Sequence, residues 1–159
     1  MTLARCREAH YSLGVADTRT PEQRSRIMSS VGTKDTGPEL LLRRLLHQAG
    51  YRYRLHPKHL PGKPDLAFPS RRKAIFVHGC FWHGHGCSKG KAPKSRQDYW
   101  TPKLSANKAR DERRLRELAD LGWSPMVVWQ CELNDPQETL QSVKKFLENG
   151  CKSDRHEFK

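Results

Sequence analysis

Residues 60–77 read Leu60-Pro61-Gly62-Lys63-Pro64-Asp65-Leu66-Ala67-Phe68-Pro69-Ser70-Arg71-Arg72-Lys73-Ala74-Ile75-Phe76-Val77. Two short apolar runs, 65–68 and 73–77, are split by a Pro-Ser-Arg-Arg turn and so predict two consecutive strands. The second run is apolar throughout after Lys73, as in a central strand buried on both faces. Leu60 to Pro64 is turn chemistry. Upstream, Tyr51-Arg52-Tyr53-Arg54-Leu55 alternates and predicts a strand with one buried face. Downstream, residues 78–96 are irregular and rich in Gly, His and Lys. Thr101-Pro102 then caps a long helix through Leu104, Leu115, Leu118 and Leu121, closed by Gly122. Met126-Val127-Val128-Trp129 predicts a fourth strand. Residues 137–149 predict an amphipathic helix with Leu140, Val143, Phe146 and Leu147 on one side.

Ahead of the strands, Thr36-Gly37-Pro38-Glu39 has the pattern of a capping box. Leu41, Leu42, Leu45 and Leu46 follow at helical spacing until Gly50. Thr20-Pro21-Glu22-Gln23 carries the same start signal for a short basic helix through Arg24, Arg26, Ile27 and Met28. The order α-α-β-β-β-loop-α-β-α implies an α/β fold with a mixed central sheet flanked by helices. Residues 1–19 read as a loose extension, 20–151 as one domain and 152–159 as a polar tail.

Charge narrows the function. Across 159 residues, 30 Lys+Arg against 17 Asp+Glu give a net charge of +13. The excess recurs along the chain in Arg43-Arg44, Arg71-Arg72-Lys73 and Arg110/Arg113/Arg114/Arg116, which suits a polyanion laid across one face. A membrane partner is not expected: no apolar run nears the ~18 residues of a span, and no basic helix has a bulky apolar face. The start lacks the apolar stretch of a secretory signal, so a soluble intracellular protein is expected.

Five cysteines without a secretory signal favour metal or free thiols over a disulfide frame. Cys80-Phe81-Trp82-His83-Gly84-His85-Gly86-Cys87 supplies two thiols and two imidazoles. Three ligands from this loop plus Cys131 would complete a tetrahedral structural zinc site. Spacing alone leaves open whether His83 or His85 is the ligand. Asp65, at a strand edge, is a candidate for Mg²⁺, which takes carboxylate oxygens together with phosphate and water. The next strand lacks the second carboxylate and lysine common in Mg²⁺ nucleases. His78 and His83 stand close by as candidate acid–base groups. Phe81-Trp82 and Tyr99-Trp100, beside basic residues, are candidate wedges between base steps.

Taken together, these residues resemble the very-short-patch repair endonucleases of bacteria, which nick DNA at T:G mismatches. The resemblance is carried by Met28, Asp35-Thr36 with Glu39, Leu60 to Asp65, His78-Gly79-Cys80-Phe81-Trp82-His83, Asn107 with Asp111, and 121–131. It implies a restriction-endonuclease-like core. It further implies Mg²⁺ on Asp65 and the main-chain carbonyl of Val77, with His83 as general base and His78 assisting at the phosphate. Glu39, Asn107 and Asp111 would orient histidines or metal-bound waters. Structural Zn²⁺ would lie on Cys80, His85, Cys87 and Cys131. Phe81, Trp82 and Trp100 would intercalate from one groove, with Met28 approaching from the other.

The implied reaction is hydrolysis 5′ of the mispaired thymine in double-stranded DNA, leaving 3′-hydroxyl and 5′-phosphate ends. The resemblance also implies a bacterial cytoplasmic enzyme associated with the nucleoid and functionally linked to a cytosine-5 DNA methyltransferase and downstream repair proteins. A monomer is the default expectation. Two departures stand out: Val77 replaces a frequent threonine, and Gly84 and Gly86 replace histidines of some members. The competing readings are a non-catalytic zinc-stabilised DNA-binding protein and a Mg²⁺ nuclease of the same fold with another DNA target.

Overall fold

The computed structural model describes residues 20, 22, 23, 26, 34–94 and 96–149. The chain divides into two compact units, residues 1–31 and 32–159. In the first, the amide of Thr20 donates to Gln23 Oε1 at 3.0 Å and that of Gln23 to Thr20 Oγ1 at 3.3 Å, the reciprocal box its sequence predicts.

In the second unit, helix α1 (Gly37–Gln48) is followed by strands β1 (Arg54–Leu55), β2 (Leu66–Phe68) and β3 (Lys73–His78). Helix α2 (Gln97–Asp120), strand β4 (Ser124–Trp129) and helix α3 (Pro136–Glu148) complete it. The sheet order is β1-β2-β3-β4; β1/β2 and β2/β3 are antiparallel, and β3/β4 is parallel across the α2 crossover. This is the mixed, restriction-endonuclease-like arrangement expected from the sequence.

Alternation along the strands divides the core. Leu66, Phe68, Ile75 and Val128 pack with Leu42 and Leu46 of α1 and Val143 and Leu147 of α3. Ala67, Ala74 and Phe76 pack with Leu118 of α2, joined by Leu115, Trp123 and Val127. Both faces of β3 are therefore covered, which is why its sequence is a near-continuous apolar run. Lys73, the polar start of that run, is buried and donates to the carbonyls of Phe146 and Asn149, capping α3.

Three local expectations change. The alternating 51–55 segment contributes only two strand residues; Tyr51 and Tyr53 are nevertheless partly buried edge-on to Phe68. Helix α2 begins at Gln97, with Pro102 inside it rather than at its start. Pro102 has no amide to donate to the Asp98 carbonyl, and Trp100 in the first turn packs against Phe81. At α1, Thr36 makes no capping bond to the helix; instead Glu39 accepts from the Asp35 amide at 3.0 Å and the Thr36 hydroxyl at 2.9 Å. Among the described residues, no helix is long and apolar enough to cross a membrane.

Candidate active site and metal centre

The parallel register pairs His78 with Trp129, so the ends of β3 and β4 emerge side by side. The amide of Gln130 extends the ladder to the His78 carbonyl at 2.9 Å. Cys80 and Cys131, two residues beyond each end, are thereby brought together although 51 positions separate them. One ligand atom from each of Cys80, His85, Cys87 and Cys131 lies within 4.8 Å of the others. Gly90 closes the loop: a Cβ there would lie 2.0 Å from the His85 carbonyl oxygen, so a side chain cannot be accommodated.

Hydrogen bonding from His85, with further bonds from Cys80 and the Lys89 and Gly90 amides, holds the Cys87 thiol down to about 6. Burial, with Cys80 and Cys87 close by, pushes Cys131 up to about 11. Thiols crowded this closely, with backbone amides aimed at sulfur, suit a soft divalent cation. His85 belongs to this set. His83 turns away from it, and Trp129 stacks on the His85 ring at 4.3 Å.

The second cluster lies in a cleft of about 360 Å³ whose lining includes Asp65, Val77, His78, His83, Asp111, Arg110 and Arg114. Asp65 precedes β2, and the antiparallel register sets it beside β3, where the Val77 amide donates to its Oδ2 at 2.7 Å. Burial pushes the Asp65 carboxyl up to about 6 despite that bond. His83 Nδ1 is 2.5 Å from Asp111 Oδ2. The carboxylate accepts there, leaving His83 Nε2 as the free ring nitrogen. His78 stacks on His83 with centroids 3.8 Å apart and planes at 10°. Burial, reinforced by the adjacent His83, lowers His78 to about 4. Val77 turns its side chain to the α1/α3 core, so its backbone is what reaches Asp65.

Glu39 is buried on α1 and ion-paired to Arg43 at 3.0 Å. Its path to Asp65 runs through Arg43, expected only as part of the basic surface, and His56, which was not among the expected site residues. Arg43 Nη2 is 2.9 Å from His56 Nε2, and His56 Nδ1 is 3.6 Å from Asp65 Oδ1. Arg43 had a legible signal, since Glu39, Leu42, Arg43 and Leu46 share the buried face of one helix. His56, in the turn after β1, had none.

Phe81, Trp82, Tyr99 and Trp100 form a continuous aromatic cluster, with Phe81 centred 5.1 Å from both Trp82 and Trp100. Asn107 Nδ2 donates to the Trp82 carbonyl at 2.9 Å, tying the aromatic loop to α2 rather than reaching a histidine directly. Met28 lies outside the described residues. The structure thus gathers Asp65, His78, His83 and Asp111 in one cleft, and places Phe81 and Trp82 on the loop that carries His83.

Comparison with known proteins gives the relatives of this chain. Residues 16–89 match the family model described as DNA mismatch endonuclease Vsr. The type II nicking enzyme V.XorIIP of Xanthomonas oryzae pv. oryzae is 59% identical over 121 residues, covering 76% of this chain and 89% of that protein. The DNA mismatch endonuclease Vsr of Escherichia coli is 40% identical over 135 residues, covering 84% and 86% respectively. The type II nicking enzyme V.NmeAIP of Neisseria meningitidis is 41% identical over 121 residues, covering 76% and 86%.

Proposed function

The chain belongs to the family of the DNA mismatch endonuclease Vsr and is a DNA endonuclease; from that premise we propose that it nicks duplex DNA 5′ of the thymine in a T:G mismatch. The observation that carries this reading is the sharing of one loop: His83, paired to Asp111, sits directly after Phe81 and Trp82. A wobble pair unstacks more readily than a Watson–Crick pair, so aromatic wedges gain selectivity from its lower opening cost. The nuclease domain is proposed to take in residues 20–151.

For the chemistry, the Asp111 carboxylate holds the Nδ1 proton of His83, so Nε2 takes the proton of an attacking water as the water approaches phosphorus. Asp111 then stabilises the imidazolium that results. His78, kept neutral near pH 7 by its surroundings, packs against that ring without adding a second positive charge. Arg110 and Arg114, from α2, line the cleft where a phosphate would lie. In-line attack breaks the P–O3′ bond, and the departing 3′-oxygen takes a proton from solvent water, leaving 3′-hydroxyl and 5′-phosphate ends.

A part-buried carboxylate hydrogen-bonded at the end of β3, in a cleft that also holds the Asp111 carboxylate, fits Mg²⁺, which Asp65 and the Val77 carbonyl would hold. Bound there, Mg²⁺ supplies charge neutralisation at the phosphoryl and leaving oxygens. Zn²⁺ on Cys80, His85, Cys87 and Cys131 would fix the loop that carries His83 and the wedge.

Single-turnover assays on a T:G duplex test the assignment. Wild type is expected to nick with Mg²⁺ and not in EDTA, and Asp65→Asn to bind the duplex but leave it intact. Nicking by Asp65→Asn at the wild-type rate would remove Asp65 from the centre. Binding without nicking by zinc-loaded wild type would favour a DNA-binding module.

A further inference from the structure

We propose that His56 is a positioning residue for Asp65, held by Arg43 in the Nδ1-protonated tautomer so that it donates toward the carboxylate and sets how that group meets a divalent cation. The inference rests on the reading of Asp65 as the Mg²⁺ ligand. It begins from a restriction on donors: a guanidinium can only donate. Arg43 Nη2 lies 2.9 Å from His56 Nε2 and 3.0 Å from Glu39 Oε2, so His56 Nε2 is the acceptor of that contact. An imidazole accepting at Nε2 carries its proton at Nδ1. That nitrogen is 3.6 Å from Asp65 Oδ1, longer than a hydrogen bond but close enough for the Nδ1 proton to attract the carboxylate.

The other carboxylate oxygen, Oδ2, takes the Val77 amide at 2.7 Å. Each oxygen of Asp65 therefore faces one donor, one from the turn after β1 and one from β3. The Val77 hydrogen bond on one oxygen and the His56 N–H near the other orient the carboxylate plane and leave each oxygen a lone pair for a cation. The support behind His56 is rigid. Arg43 is nine-tenths buried and anchored to Glu39 one helical turn away, and it also pairs with Asp35. His56 itself has φ +42°, a left-handed conformation that non-glycine residues keep where their surroundings demand it. Asp35, Glu39 and His56 do offer three ligand atoms close together, but the Arg43 guanidinium already supplies the positive charge among them.

The direct test is the long-range ¹H–¹⁵N spectrum of the His56 imidazole in zinc-loaded, Mg²⁺-free wild-type protein. The expected signature is a protonated Nδ1 and an unprotonated Nε2. An Nε2-protonated ring would overturn the proposal. A second arm uses side-chain shape: Asn places its amide nitrogen where His carries Nδ1, and Gln places one near Nε2. His56→Gln is expected to raise the Mg²⁺ concentration for half-maximal nicking by about 10–100-fold, as loss of an outer partner does at metal sites. The maximal rate at saturating Mg²⁺ is expected to change far less. His56→Asn, which also suits the left-handed backbone, is expected to stay within about threefold of wild type. Unchanged Mg²⁺ dependence in His56→Gln would overturn the proposal. Mg²⁺-dependent nicking by Asp65→Asn would instead overturn the underlying reading of Asp65, while the tautomer stays readable in metal-free protein.

Discussion

Burial makes the ionised form of Asp65 costly to the folded chain. Burial raises its carboxyl from 3.8 to about 6. A carboxylate whose folded value lies above its unfolded one gives the folded state extra protons between the two. Stability from this group is therefore fullest below 3.8 and is lost as pH rises through about 6. The displacement corresponds to about 3 kcal/mol at neutral pH. In Mg²⁺-free buffer, Asp65→Asn is thus expected to melt several degrees above wild type at pH 8 and close to it near pH 4, as read by calorimetry. Asp111→Asn should leave binding intact and lower the single-turnover rate by about 10²–10⁴-fold, because an amide can hold the wrong His83 tautomer. Asp65 and His78 were legible in sequence as polar residues at the ends of apolar runs, and His83 as part of the Cys/His loop that follows. His56 was not, because nothing local distinguishes it; only the antiparallel return of β2 brings it to Asp65.

The loop between β3 and α2 owes its form to the elements on either side. Parallel pairing of β3 and β4 fixes where Cys80 and Cys131 emerge, and Gly90 lets the loop fold back on His85. Gly90→Ala is expected to lower bound zinc per chain and reduce thermal stability together, measured by metal analysis and circular dichroism. The aromatic cluster proposed as a wedge depends on α2, whose first turn carries Trp100 and whose Asn107 holds the Trp82 carbonyl. Trp82→Ala should reduce the preference for T:G over T:A duplexes by about 1–3 kcal/mol in Mg²⁺-free anisotropy titrations, the scale of one aromatic–base stack. Periodicity placed the long helix correctly but not its start. Thr101-Pro102 is a sound local start signal, yet the aromatic packing of Trp100 outweighs it and α2 begins at Gln97. The pairing of the loop cysteines with Cys131 was visible as composition, whereas the choice of His85 over His83 became physical only once Asp111 claimed His83.

At the scale of the whole chain, a net charge of +13 and a cleft ringed by Lys and Arg favour a phosphate backbone before any base is read. Affinity for undamaged duplex should fall by roughly 10³ or more between 50 and 200 mM salt, the behaviour of a protein making at least six phosphate contacts. The mixed sheet and the burial of its third strand on both faces followed from the strand patterns, whereas which helices cover each face is seen only in the fold. This scaffold is proposed to hydrolyse one strand, at one kind of lesion. The most direct measurement labels each strand in turn of otherwise identical duplexes carrying T:G or T:A at one position, in several sequence contexts including cytosine-methylation sites, with zinc-loaded protein and Mg²⁺. The expected result is a single cut immediately 5′ of the thymine, in the T:G duplex alone and absent in EDTA. Equal cutting of T:G and T:A duplexes, or cutting of both strands, would contradict the account.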